Sequence, residues 1–165
     1  MAARGPVARR ASGRGVSQLS GDGQPVRAEP LVALAPGTLY RLLRLRVDVF
    51  VVEQGAAYPE LDGRDLEPTA VHCWIERDGE PVAYLRVLDE AGGGSRVGRV
   101  VTAPSARGEG LATRLVEHVL ERCCTPPVRL GAQSHLAEWY GRFGFVRTGE
   151  TYEEDGIPHV PMERR

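Results

Sequence analysis

Residues 97–120 read VGRVVTAPSARGEGLATRLVEHVL, and two changes of character within this stretch decide the fold. The β-branched run Val97 to Thr102 reads as a strand and stops at Pro104. Arg107-Gly108-Glu109-Gly110 is then a glycine-rich turn, after which Leu111, Leu115, Val116, Val119 and Leu120 recur at the spacing of one helical face. A strand that runs through such a loop into a helix brings main-chain N–H groups and the positive helix end to one point, which suits a pyrophosphate. Arg107 adds a planar cation for a charge-assisted bond. RxxGxA alone also describes a bare turn, so its surroundings carry the decision.

Downstream, the helix should end near Cys124, ahead of Pro126-Pro127. Val128 to Ala132 suits a buried strand, Leu136 to Phe143 a short helix, and Phe145 to Tyr152 with Ile157 to Met162 a hairpin around Asp155-Gly156. Upstream, Val71 to Glu76 and Val82 to Leu88 flank Asp78-Gly79, whose residues tolerate the positive φ of a tight hairpin turn. Gly55 to Pro68 is rich in Gly, Pro and Asp and reads as a loop. Before it, Leu39, Leu42, Leu43, Arg46, Val47 and Phe50 have helical spacing, and Leu31 to Leu34 read as a short strand. Residues 1–29 hold five arginines among Gly, Ser, Pro and Gln with no periodicity to bury, so they are expected to be a disordered tail before a domain at 30–165. The order predicts one mixed α+β domain, an α/β fold whose mixed central sheet of about six to seven strands carries helices on both faces.

A chain of 165 residues supports one core. At 42% hydrophobic and 26% charged residues it is an ordinary globular chain, and a net charge of -1 lacks the footprint of a nucleic-acid binder. No apolar stretch approaches the eighteen or so residues of a membrane span. Three cysteines, two of them adjacent, make neither a disulfide framework nor a CxxC metal pair, so a reducing, cytoplasmic setting with no metal is expected. All 21 basic residues are arginine, so no internal lysine is available for acylation.

With these elements in place, Val100-Val101-Thr102-Ala103-Pro104 followed by RGEGLA (107–112) resembles the acetyl-CoA motif of the GNAT superfamily of N-acetyltransferases. Glu138-Trp139-Tyr140-Gly141-Arg142-Phe143-Gly144-Phe145 is similar to that family's tyrosine-bearing helix and terminal Gly-Phe. LRLRVDVFVVEQ (43–54), LDGRDL (61–66), LGAQSHLAEWY (130–140) and YEEDGIPHVPM (152–162) resemble the ElaA-like branch, and the likeness spans roughly residues 38 to 164. The resemblance implies a GNAT fold with acetyl-CoA as cosubstrate. The main chain of Val100, Val101 and Thr102 would pair with pantetheine, and Arg107, Gly108, Glu109, Gly110, Leu111, Ala112 and Thr113 would surround the pyrophosphate.

Acyl transfer to an amine needs a neutral nucleophile, donors for the oxyanion and a proton for the departing thiolate. The resemblance assigns the last to Tyr140 and the oxyanion to an N–H near Val101. A glutamate on the strand before the loop serves many relatives as base, but residues 96–102 contain no carboxylate. Glu53, His72, His135, Glu153 and His159 are the substitutes, with Glu53 and His135 placed as catalytic candidates. Glu60, Asp62, Asp65 and Glu67 form an acidic loop that either faces solvent or receives a cationic amine. Asp62, Asp65, His72, Glu153 and His159 are the expected contacts to a small-molecule or peptide amine, in a monomer or homodimer. Two other readings stay open: a CoA-binding module without catalysis, and an acyltransferase like the acyl-homoserine-lactone synthases, whose first helix LRxRxxVFVxEQ also resembles.

Overall fold

Two tight hairpins and one divergent strand pair build the sheet. This computed structural model describes residues 23–165. Its strands are β1 (Arg27–Pro30), β2 (Val71–Arg77), β3 (Glu80–Asp89), β4 (Ser95–Thr102), β5 (Val128–Gln133), β6 (Val146–Arg147), β7 (Tyr152–Glu154) and β8 (Ile157–Arg164). They form one mixed sheet in the order β1-β2-β3-β4-β5-β8-β6, with β7 also on β8. Among the described strands only β4 and β5 run parallel. The turns form as expected, with Asp78 and Gly79 at φ 53 and 80 and Asp155 and Gly156 at φ 51 and 78.

The helices are α1 (Pro36–Val47), α2 (Leu111–Arg122) and α3 (Ala137–Gly141), and a π-helical stretch at Asp48–Glu53 prolongs α1. Strand alternation sorts the core into two layers. Cys73, Ile75, Leu85 and Val87 face Leu111, Leu115, Val116 and Val119 of α2. Trp74, Tyr84 and Val101 face Leu42, Leu45 and Val49 of α1. No described helix is long and apolar enough to cross a membrane.

Four expectations need correction. Among the described residues the sheet has eight strands, because the strand expected over Phe145 to Tyr152 is interrupted and only Val146–Arg147 and Tyr152–Glu154 pair with β8, while Arg27–Pro30 adds a short edge segment. Leu31–Ala33 is a 3₁₀ turn and not a strand, since the pairing with β2 ends at Pro30 opposite Val71. The tail was expected over 1–29. Residues 1–22 lie outside the described residues, but Arg27–Glu29 belong to β1, Arg27 pairs with Glu76 at 2.7 Å, and Arg114 donates to the Gln24 carbonyl. Finally, α1 and its extension bury Leu42, Leu45, Arg46 and Val49, so that of the stripe expected through Leu39, Leu42, Leu43, Arg46, Val47 and Phe50 only Leu42 and Arg46 are fully buried.

That stripe contains a charge. Arg46 is 0% exposed and forks onto two carboxylates: Glu60 through Nε and Nη2 at 2.9 and 3.0 Å, and Asp65 through Nη1 and Nη2 at 2.7 and 3.2 Å. Arg86 of β3 holds Asp65 at 2.9 Å and grips both oxygens of Asp62 at 2.8 and 2.6 Å. Arg99 of β4 closes the set on Glu60 at 2.8 Å and Asp62 at 3.3 Å. Below it, the Tyr84 hydroxyl accepts from Arg46 at 3.4 Å and shares a hydrogen bond with His72 Nδ1 at 2.8 Å. The acidic loop is thereby nailed to α1, β3 and β4.

Removing one partner of such a buried set leaves uncompensated charge, at a cost of about 3–5 kcal/mol. Arg46→Ala should therefore lose that much stability in urea unfolding, a large part of the roughly 5–15 kcal/mol a domain possesses. Burial opposes the charge on Asp62 and Asp65, but the guanidinium hydrogen bonds outweigh it and hold both below the usual carboxylate range. A depressed folded-state pKa gives stability that is complete above the unfolded value of about 3.9 and lost as pH falls below it. Melting curves should thus show the network's contribution intact at neutral pH and failing only below about pH 4 in wild type.

Candidate active site

The sheet opens where β4 and β5 part. They pair only at Ser95 with Val128 and Arg96 with Arg129. Beyond that point β4 stays on β3, with Tyr84 opposite Val101, and β5 stays on β8, with Gln133 opposite His159. The main chains of residues 97–102 and 130–133 consequently face each other without pairing. A bulge turns β4 away: between Gly98, opposite Arg86, and Val101, opposite Tyr84, the residues Arg99 and Val100 stand against Leu85 alone. Arg99 sits at φ 56, a conformation that costs a side-chain-bearing residue roughly 1–2 kcal/mol. Its ion pairs to Glu60 and Asp62 and its position over the Tyr58 ring, 5.9 Å from the centroid, hold it there. The opening is a cleft of about 1190 Å³ whose lining includes Val97 to Thr102, Gly131, Glu53, His135, Tyr140, Tyr152 and His159.

At one end of the cleft is the Gly-rich loop. Gly108 and Gly110 adopt φ 81 and 75, and a Cβ added at either would meet no atom within 4 Å, so the loop surface is open to a ligand. Arg114 N–H to the Gly110 carbonyl, at 3.1 Å, opens the hydrogen bonds of α2, and the N–H groups of Leu111, Ala112 and Thr113 before it have no helical partner. Two carboxylates that would repel an anion here are matched: Glu109 by Arg77, and Glu53 by Arg107 through both oxygens at 2.8 and 2.9 Å. Arg107 also donates to the Thr102 carbonyl at 3.3 Å, tying the loop to the end of β4.

Tyr140 projects from α3, its ring edge-on to Trp139 and Phe145 with centroids 4.7 and 6.0 Å away. It is 6% exposed, and its hydroxyl makes no hydrogen bond among the described residues. Burial pushes that hydroxyl above the ordinary tyrosine range. His135 and His159 line the same cleft, as does Glu53, whose hydrogen bond from Arg107 holds its carboxyl below the usual range. The structure therefore brings Tyr140, Glu53, His135 and His159 to one cavity with Val100 to Thr102, Arg107 and Ala112.

The other expected acceptor contacts fall elsewhere. His72 is 1% exposed and bonded to Tyr84, and burial lowers its pKa. Asp65 is buried between Arg46 and Arg86. Asp62 reaches the cleft, but Arg86, Arg99 and the Arg64 N–H occupy its oxygens. Glu153 is exposed on β7, while its neighbours Tyr152 and Glu154 line the cleft. The acidic loop is thus neither a solvated face nor a free amine receptor. Sequence reading missed Arg86, Arg99 and Tyr152. Charges inside the apolar stripe of α1 and the apolar run of β3 were the available signal for Arg46 and Arg86. Nothing local announces Tyr152, whose hydroxyl lies where a Cβ on Gly131 would be. Among the described residues, no group of His, Cys, Asp and Glu is arranged to hold a metal.

An open sheet whose parallel central strands part beside a Gly-rich helix start is the fold of the GNAT acyltransferases. Residues 47–165 match the model of the acetyltransferase (GNAT) domain, and the chain belongs to that family. It is 43% identical to the ElaA protein of Escherichia coli over 137 residues, which cover 79% of this chain and 90% of ElaA. A UPF0039 protein of Mycobacterium tuberculosis is 49% identical over 130 residues, covering 76% of this chain and 83% of the relative. An acyl-CoA N-acyltransferase from Pseudomonas aeruginosa has a crystal structure that superposes with a TM-score of 0.82 at 42% identity, covering 87% of this chain and all of that one.

The loop conformation has a measurable consequence. Gly110→Ala meets no steric obstacle in its surroundings, so its whole effect comes from φ. Urea unfolding should show a loss of roughly 1–2 kcal/mol, whereas Gly141→Ala, inside α3 with open space around it and no positive φ, should show no loss.

Proposed function

We propose that this chain moves an acetyl group from acetyl-CoA to the primary amine of a small molecule or peptide, by direct attack of the amine on the thioester, with Tyr140 as general acid. The observation that carries this reading is the Tyr140 hydroxyl, unpartnered at the wall of a cleft whose two parting strands offer unpaired main-chain groups. Those groups of β4 suit the amides of pantetheine as an added strand would. The open N–H groups from Gly108 to Thr113 and the Arg107 guanidinium suit the pyrophosphate. The membership of the chain in an acetyltransferase family supports acetyl as the group moved.

In this mechanism a main-chain N–H between Val100 and Thr102 steadies the oxyanion as the amine adds. The tetrahedral intermediate then expels the CoA thiolate, which takes the proton of Tyr140. With its pKa raised by burial, that hydroxyl stays protonated at neutral pH until the thiolate forms. The phenolate recovers a proton from the nitrogen of the new amide.

The absence of a carboxylate from β4 favours a rival, a module that binds CoA without catalysis. An amine panel that includes S-adenosylmethionine, run with acetyl-CoA and thiol detection beside a CoA titration, separates the two and also tests lactone-synthase chemistry. Acetyl-CoA at a hundred times its dissociation constant should stabilise the native state by about 2.7 kcal/mol, read as a rise in melting temperature. Tyr140→Phe keeps the ring contacts and removes only the hydroxyl. Its kcat should fall by roughly a hundredfold to ten-thousandfold with KM for acetyl-CoA little changed. CoA binding without thiol release from any amine would establish the rival, and turnover of the Phe variant within a few-fold of wild type would retire Tyr140.

A further inference from the structure

The mechanism leaves one proton unassigned. An alkylamine of pKa about 10.4 is almost wholly ammonium at neutral pH, and it must lose a proton before its lone pair can attack. Glu53 stands beside Arg107 at the pyrophosphate end of the cleft, His72 lies inside the ion network, and β4 carries no carboxylate. We infer that Nε2 of His159 is the general base that takes this proton, an assignment that rests on the acetyl transfer proposed above.

Three observations carry it. First, His159 sits on β8 opposite Gln133, at the end of β5 where the sheet has opened, and its ring lines the cleft. Second, its tautomer is set by the protein. Nδ1 lies 2.8 Å from the Ile157 carbonyl oxygen, which can only accept, so Nδ1 carries the hydrogen and the neutral ring keeps its lone pair on Nε2. Nε2 makes no hydrogen bond among the described residues. Third, the ring is held in place, stacked on Tyr152 with centroids 5.8 Å apart and planes 26° apart. Tyr152 is itself seated over Gly131, where no side chain competes for the space. His135 lines the cleft as well but has neither the fixed tautomer nor the stacking partner. A base held by a second hydrogen bond and a packed ring keeps its geometry while a substrate binds.

The proton moves from the substrate ammonium to Nε2, directly or through one water, giving imidazolium and a neutral amine. The amine then adds to the thioester carbon, the thiolate departs with the Tyr140 proton, and the imidazolium releases its proton to solvent. Of the titratable and charged groups, Tyr152 stacks on the ring, and Arg96 of β4, Glu154 of β7, Asp155 in the hairpin turn and His135 in the turn after β5 line the same cleft.

The test is the pH dependence of kcat, measured with a primary amine that the wild type accepts. Wild-type kcat should rise with pH to a plateau. In His159→Gln it should fall by roughly a hundredfold to ten-thousandfold at neutral pH and climb with hydroxide without a plateau. KM for acetyl-CoA and the melting temperature should stay near wild type, and added imidazole should restore part of the rate of His159→Ala. The corresponding plateau should persist in Glu53→Gln. Histidine ¹⁵N spectra of the wild type, which need no variant to fold, should show neutral His159 protonated at Nδ1. A neutral ring protonated at Nε2, or a Gln variant with the wild-type profile and a rate within threefold, would overturn the assignment while leaving the acetyl transfer standing. Failure of the wild type to release thiol with any amine would overturn both.

Discussion

The buried fork of Arg46 is the constraint on which the rest of the site depends. It draws Glu60 and Asp65 under α1, and Arg86 and Arg99 complete the set with Asp62 as the third carboxylate. Three guanidinium groups meet three carboxylates, so the set is neutral as a whole although Arg46, Glu60, Arg86 and Asp65 have given up nearly all contact with water. Its value lies more in geometry than in net stability, because replacing buried ion pairs with apolar groups is often neutral or stabilising. An apolar substitute could fill the space between α1 and the sheet. It could not grip Arg99, and without that grip the positive φ of the β4 bulge would relax. The bulge is what aims β4 away from β5 and leaves their main chains free.

The exclusive use of arginine fits this design. A guanidinium presents donors in a fixed plane and can hold two carboxylates at set angles, whereas an ammonium acts as a point charge. Arg46 and Arg86 each do this, and Arg99 adds a hydrogen bond to the Glu60 carbonyl at 3.1 Å. At the other end of the cleft the same chemistry serves the opposite purpose. Arg77 and Arg107 match Glu109 and Glu53, so the start of α2 keeps its positive field despite two nearby carboxylates. Both pairs are exposed, where ion pairs are worth little, so the Arg107 guanidinium can pass from Glu53 to a phosphate at small cost.

The sequence by itself determined the elements and the loop. Periodicity located α2 and the central strands, Asp-Gly located both hairpin turns, and the spacing RGEGLA placed the glycines at the helix start, because all of these follow from neighbours within a few residues. It also marked Tyr140, Glu53, His135 and His159, which the fold brings to one cleft. Only the tertiary structure decided which charges were spent. Asp62, Asp65 and Glu60 read as a free acidic loop until Arg46, Arg86 and Arg99 arrive from 14 to 39 residues away, and β1 exists only because β2 supplies its hydrogen bonds. A carboxylate's role depends on its partner. Here the partners lie on other elements, and side-chain contacts that cross between elements leave no periodic trace in the chain.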